Sequence, residues 1–131
     1  MTTKNLFIVS SLVALAFGLP LLFAPQAIID VYAVDKAALT GIAIHVSRCY
    51  GAILTAFGIA GLMSMNAGPS YGRRGLLIVT TINAALAMIL NILAIQNGVQ
   101  NSVAWLTVVT LVVITAWAGL LLSKEKVAGL N

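Results

Sequence analysis

The chain has 131 residues, about the length of one domain; 61% of them are hydrophobic and 8% are charged. Soluble domains carry roughly 25% charged residues, so this composition excludes a soluble enzyme and a disordered chain and indicates an integral membrane protein. The net charge of +4 does not indicate nucleic-acid binding, because no basic stripe alternates with aromatic residues.

Four apolar segments follow one another along the chain, at residues 5–23, 40–65, 75–95 and 103–122. Each is long enough, at a rise of about 1.5 Å per residue, to cross a hydrocarbon layer of about 30 Å. A chain with four spans cannot satisfy its backbone as a closed barrel, so the spans must be helices. The sequence therefore predicts an all-α fold, a single transmembrane domain over residues 1–131 in the form of a four-helix bundle.

The segment between the first two spans is half apolar and reads APQAIIDVYAVDKAAL from residue 24 to 39. Its isoleucine and valine residues are poorly suited to a free aqueous loop. We expect a short interfacial helix or turn that starts at Pro25, with Tyr32 at the water boundary and with Asp30 and Asp35 facing water.

Basic residues favour one side of the membrane by five to one. Lys4, Arg73, Arg74, Lys124 and Lys126 lie on one side, and Lys36 lies alone on the other. Because cytoplasmic loops collect Lys and Arg, both termini are predicted to be cytoplasmic. The compact chain and its short loops favour a bacterial inner membrane.

Arg48 is the only charged residue inside a predicted span, and His45 lies three residues earlier on the same helix face. An arginine at mid-bilayer costs about 2.5 to 3.5 kcal/mol on insertion scales. We therefore expect the guanidinium to point away from the lipid tails and to find a polar partner in the outer half of the membrane.

A polar stripe on the third span is the expected partner. Asn83, Ala87 and Asn91 recur every four residues, and Asn91 lies at about the depth of Arg48. The sequence predicts that Arg48 and His45 meet Asn91, helped by an aspartate, Asp30 or Asp35, of the outer segment. This group is either an interhelical polar clamp or a binding site for an anionic headgroup or a small polar ligand.

Small residues form a second strip on the second span. Ser47, Gly51 and Gly58 lie near one another on the helix surface, and such strips allow another helix to approach closely. With Asn83 and Ala87 of the third span, they are the predicted helix-packing positions.

Reaction chemistry is not indicated. The chain has one His and one Cys, too few for a metal site or for bis-histidine haem ligation. No span contains Asp or Glu, as a proton path usually requires, and no catalytic triad or phosphate-binding glycine loop is present. We predict no catalytic residues, no metal site and no cofactor.

The stretch LFAPQAIIDVYAVD followed by RCYGAILTAFGI, within residues 22–59, resembles small four-span bacterial membrane proteins of unknown function and, more remotely, the DoxX-like proteins. In these families a proline after the first span precedes a short outer segment, and the second span carries Arg-x-x-Gly-Ala. The resemblance implies a four-helix bundle. Because some DoxX-like proteins are subunits of membrane oxidoreductase complexes, it also favours an accessory role.

Three functions remain open at this point. The preferred one is a non-catalytic accessory or structural subunit of a membrane complex, or a self-associating bundle. The alternatives are a lipid, quinone or small-metabolite binding protein centred on Arg48 and a small oligomeric channel or exporter. The expected partners are membrane lipids and other membrane protein chains or further copies of this one, and no nucleic acid.

Overall fold

The computed structural model describes residues 2–35 and 40–124, and the regular elements in this part of the chain are helices. They are α1 (Thr3–Phe23), α2 (Pro25–Tyr32), α3 (Gly41–Ser64), α4 (Tyr71–Gln96) and α5 (Ala104–Lys124). Lys36 and Lys126, which enter the charge count above, lie outside the described residues.

Four of these helices, α1, α3, α4 and α5, are long and apolar enough to cross a membrane. The all-helical class and the presence of four helices that could span a membrane are thereby confirmed. Their ends differ from the apolar segments by a few residues. The largest difference is at α4, which begins at Tyr71 because the Ser70 hydroxyl accepts a hydrogen bond from the Arg73 backbone N–H at 3.2 Å.

Local signals in the sequence explain the other helix ends. Thr2 and Thr40 cap α1 and α3 with their hydroxyl groups. Pro25 occupies the first turn of α2, where its missing N–H costs nothing. The segment expected to form a short helix or turn after the first span is thus a helix. α4 ends in a Schellman motif: Gly98 has a φ of 68°, and the Val99 N–H donates to the Ala94 carbonyl at 2.8 Å.

α1 and α3 are antiparallel and pack along a glycine seam, formed by Gly51, Gly58 and Gly61 of α3 against α1. A methyl group added to Gly51 would lie 2.5 Å from the Leu22 backbone nitrogen. One added to Gly58 would lie 2.7 Å from a side-chain carbon of Leu15. The two backbones therefore approach as closely as small residues allow.

The hydrophobic core extends from one end of the bundle, the terminal end, where α1 and α4 begin and α3 and α5 end, to its middle. It is built from buried residues of α1, α4 and α5: Leu6, Phe7, Leu77, Ala84, Ile114 and Ala118. Arg73 joins the loop after α3 to the start of α1, because its guanidinium donates to the Ala67 carbonyl at 2.9 Å and to the Thr3 hydroxyl at 2.8 Å. The opposite end, the α2 end, is packed differently.

Candidate functional site

A cavity of about 390 Å³ lies between α1, α3, α4 and α5, and extends from the middle of the bundle to the α2 end. Its apolar wall includes Phe17 of α1, Leu54 and Phe57 of α3 and Leu111 of α5. The polar side chains on the wall are Ser10, Tyr32, Ser47, Tyr50, Thr80, Asn83, Asn91, Gln100, Thr107 and Thr110.

The cavity exists because the helices pack as two pairs. α1 packs extensively on α3, and α4 on α5, whereas α1 and α5 join the pairs through a smaller contact. Within the described residues, α3 and α4 make at most marginal contact. Tyr50 lines the cavity and is still 40% exposed, so the space between α3 and α4 opens sideways, toward the lipid of a membrane.

α2 and the turn between α4 and α5 form a roof over the α2 end of the cavity. The Asn101 side-chain amide donates to the Val31 carbonyl at 2.7 Å, and its backbone N–H donates to the Tyr32 carbonyl at 2.8 Å. The hydroxyl groups of Tyr32 and Thr107 are 3.1 Å apart. The roof is therefore tied to the α4–α5 pair as well as to the chain that follows α1.

Several polar groups on the wall already have partners in their own helix. Ser47 donates to the Ala43 carbonyl at 2.8 Å, Thr80 to the Leu76 carbonyl at 2.7 Å and the Asn91 amide to the Ala87 carbonyl at 2.8 Å. Side-chain hydroxyl groups in apolar helices commonly donate a hydrogen bond to a backbone carbonyl of their own helix in this way. These groups shape the wall more than they offer donors to a ligand, although the Asn91 side-chain oxygen remains an acceptor.

Three groups on the wall have unused hydrogen-bonding capacity. The side chains of Tyr50 and Asn83 form no hydrogen bond with the described part of the chain, and the Gln100 Oε1 atom is buried without a partner there. A carboxamide supplies both donors and acceptors, and a tyrosine hydroxyl supplies one donor. A bound molecule with a carbonyl or hydroxyl group can satisfy them.

The wall is electrically neutral, since no Asp, Glu, Lys or Arg is among the residues that line it in the described chain. Over the same residues, no three His, Cys, Asp or Glu side chains lie close enough to share a metal ion. The chemistry that this site offers is hydrogen bonding and apolar contact.

The structure does not bring Arg48 and His45 together with Asn91. Both residues are exposed, and neither lines the cavity, whereas Asn91 does. The reason is helical geometry: Tyr50 faces the cavity, and a residue two positions away lies about 160° from it around the helix axis. Arg48 therefore lies on the flank of α3 that faces away from α4.

Within the described residues, the outer acids also form no bond with Arg48, His45 or Asn91. Asp30 is exposed and accepts a hydrogen bond from the Gln26 side chain at 3.1 Å, one turn away on α2. Asp35 is exposed as well. The polar clamp or ligand site expected around Arg48 thus differs from the site that the fold builds.

The predicted packing residues divide between the two surfaces of α3 and α4. Gly51 and Gly58 lie in the glycine seam. Ser47, Asn83 and Ala87 line the cavity. The polar stripe of α4 thus faces the interior of the bundle, but it meets open space there rather than a charged partner.

Sequence reasoning missed Tyr50, Gln100 and the Tyr32–Thr107 pair as parts of a site. Tyr50 carried a usable signal, because it lies three residues after Ser47 and one turn before Leu54 on one face of α3. The sequence gives no such signal for Gln100 and Thr107, because their positions at the cavity depend on how the α4–α5 turn packs against α2.

Comparisons of the chain with protein families, with characterised proteins and with solved structures find no match.

Proposed function

We propose that this chain is a small non-catalytic integral membrane protein that holds one neutral, largely apolar molecule in the cavity between its four long helices. The observation that carries the proposal is the neutral, mostly apolar wall on which Tyr50 and Asn83 have unused hydrogen-bonding groups. Pockets for small ligands commonly combine apolar walls with a few polar groups that orient the ligand.

The wall chemistry selects the class of ligand. A charged molecule would lose its hydration without gaining an opposite charge, which is costly in an apolar site. A molecule with a carbonyl or hydroxyl head and an apolar body matches both the amide and hydroxyl groups and the surfaces of Phe17, Leu54 and Phe57. Quinones, isoprenoid alcohols and neutral acylglycerols have this chemistry, and the gap between α3 and α4 lets them arrive from the lipid.

Extraction of the protein from its own membrane tests the proposal. Mass spectrometry of the purified protein is expected to detect one bound neutral lipid-like molecule per chain. Ala87→Phe places a ring in the cavity and is expected to remove that molecule, since Ala87 lies on the wall. Leu86→Phe is the matched control, because Leu86 is 56% exposed on the lipid side of α4. Equal ligand content in wild type and Ala87→Phe would contradict the proposal.

The cellular setting belongs to the same proposal. The loop charges support cytoplasmic termini, and the compact chain with its short loops supports a bacterial inner membrane. A cytoplasm-active reporter fused after Asn131 is expected to work, and one inserted between Asn97 and Ser102 is expected to be silent. The reverse pattern would overturn the orientation.

A protein that holds a ligand without reacting with it acts through a partner, so we propose an accessory role in a membrane complex. Stoichiometric co-purification of a second membrane chain is the test. A pore through one chain is disfavoured, because Leu6, Phe7 and Leu77, each at most 1% exposed, pack the terminal end of the bundle. Asn83 and Asn91 line the cavity of a single chain, which leaves them poorly placed to line an axis between copies.

A further inference from the structure

The flank of α3 that faces away from the cavity carries a small polar group in an otherwise apolar surface. His45, Arg48 and Cys49 are all exposed there. The Cys49 sulfur lies 3.6 Å from the His45 Nε2 atom, one helical turn away. Neighbouring exposed residues on this flank are Ala52 and Ile59, so the group lies within a surface suited to lipid contact.

Arg48 forms no hydrogen bond or ion pair with the described residues. Within a membrane span, an arginine without a counter-charge is costly, and such residues pair with an opposite charge or extend to the interface. The carboxylates of the described chain do not serve, since neither Asp30, which bonds to Gln26, nor Asp35 forms an ion pair with Arg48. An opposite charge that pairs with Arg48 therefore comes from outside the described chain.

The position of Arg48 in α3 indicates where that charge lies. Arg48 is seven residues from Gly41, the first residue of α3, which corresponds to about 10 Å along the axis. Side chains on a helix lean toward its N-terminus, and the N-terminus of α3 is at the α2 end. An Arg48 side chain that follows this preference brings its guanidinium toward the nearer membrane surface, on the side of His45.

We propose that Arg48, with His45 beside it, binds the phosphate of an anionic membrane lipid in the leaflet at the α2 end. The planar guanidinium matches a phosphate with two parallel hydrogen bonds. If the Cys49 thiol donates to the His45 Nε2 atom, the Nδ1 atom carries the ring proton and can donate to the same phosphate.

The surface next to Arg48 suits the rest of the lipid. Ala52 and Ala56 follow it at intervals of four residues on the same flank, and both are exposed. Their short side chains leave a shallow groove along the helix for an acyl chain. A partner helix could use the same groove, but it would have to bring an acidic side chain into the membrane, which is rare. Headgroup phosphates lie at the interface toward which Arg48 extends, and they supply the negative charge without such a cost.

Native mass spectrometry of the full chain tests the proposal, with phosphatidylglycerol as the anionic probe and phosphatidylcholine as the neutral one. Wild type is expected to retain phosphatidylglycerol about tenfold better, as one charge-assisted contact of this kind allows. Arg48→Met is expected to lose the preference. Arg48→Lys is expected to keep part of it, because it retains the charge but not the paired donors.

Lys4→Met is the control for net charge, since it removes one exposed cation at the terminal end, and less than a twofold change is expected. Circular dichroism and gel filtration ensure that equal amounts of folded protein are compared. If Arg48→Met does not fold, the lipid preference of Arg48→Lys provides the test. Inorganic phosphate at millimolar concentration is expected to leave the lipid bound; its displacement would assign the site to free phosphate instead.

Two results would overturn the proposal. One is an unchanged lipid preference in Arg48→Met. The other is loss of a co-purified protein chain from that variant with lipid content unchanged, which would assign the counter-charge to a partner's carboxylate. The cavity ligand proposed above is measured in the same spectra and is expected to persist in Arg48→Met, so the two proposals fail separately.

Discussion

α3 presents small residues to α1 and large residues to α4, and it packs tightly only against the first. On the α1 side, Gly51 and Gly58 bring the two backbones into contact. On the other side, Tyr50, Leu54 and Phe57 face α4 across the cavity without closing it. Apolar size therefore does not predict contact in this bundle, because lipid solvates large side chains as well as a neighbouring helix does.

The α1-facing surface of α3 stabilises the fold, whereas its α4-facing surface leaves room for a ligand. Close packing and hydrogen bonding stabilise helices in a membrane, where burial from water contributes little. The glycine seam and the core at the terminal end supply that packing. The cavity lacks it, and its unused polar groups are a cost that a bound molecule would offset. Substitutions on the two surfaces should therefore have effects of different size and sign.

The largest effect is expected for Gly51→Leu in the glycine seam. A side chain there meets the backbone of Leu22 and Gly18, at 2.5 and 2.8 Å for the first carbon alone. Backbone atoms cannot rotate away, so the helices must separate, at a cost of about 3 kcal/mol or more in the free energy of unfolding. Unfolding in detergent micelles by titration with dodecyl sulfate measures it.

Gly41→Leu is the matched control for that experiment, because nothing lies within 4 Å of a carbon added to Gly41 at the start of α3. It is expected to change the unfolding free energy by less than about 0.5 kcal/mol. Equal effects of the two substitutions would show that helix propensity, and not the seam, sets the stability.

Leu77→Ala in the terminal-end core is expected to have the next largest effect. Leu77 is 0% exposed, and its removal leaves a void that neighbouring helices cannot fill. We expect a loss of about 2 kcal/mol, near the low end of values for soluble cores, because lipid rather than water solvates the side chain after unfolding. Leu54→Ala, which enlarges an existing cavity, should cost less; a larger cost would mean that the cavity is packed in solution.

The spanning helices could be predicted from the sequence because they depend on local composition alone. Runs of apolar residues and the signal at Pro25 act within a few positions of the chain. The polar stripe of α4 was also visible as a period of four residues. These features need no knowledge of which helices are neighbours.

The position of the site could not be predicted, because it depends on helix rotation and pairing. Arg48 is the only charged residue in a predicted span, and buried charges need partners. Asn91 was therefore predicted as its partner. The structure places Arg48 on the flank away from α4, since the glycine seam sets the rotation of α3. A single sequence shows that Gly51 permits close approach, but not that α1 is the helix that uses it.

Tyr32→Phe is expected to have a smaller effect, at the roof of the cavity. The substitution removes the hydroxyl that lies 3.1 Å from that of Thr107 and keeps the ring that packs 6.2 Å from Phe17. We expect a loss of about 1 kcal/mol in the free energy of unfolding, typical of one hydrogen bond. Thr107→Val in the same background should add little; independent, additive losses would show that the two hydroxyl groups do not interact.

Asn83→Leu is expected to have the smallest effect on stability and the most informative one on function. Leu has the same number of side-chain heavy atoms as Asn in the same branched shape and carries no polar atoms, so it removes a carboxamide that has no partner in the described chain. In the ligand-free protein, the free energy of unfolding is expected to stay constant or to rise by up to about 1 kcal/mol. Retention of the cavity ligand, measured by mass spectrometry, is expected to fall, because the ligand loses its hydrogen bond.

Asn91→Leu is the comparison for that variant, because the Asn91 amide already bonds to Ala87 in its own helix. It should lower the unfolding free energy slightly and affect the ligand less. If Asn83→Leu instead destabilises the ligand-free protein and leaves the ligand in place, Asn83 supports the fold and not the ligand. The cavity would then be a packing defect beside the glycine seam. A polar group that serves binding lowers the stability of the empty protein and raises that of the ligand-bound protein.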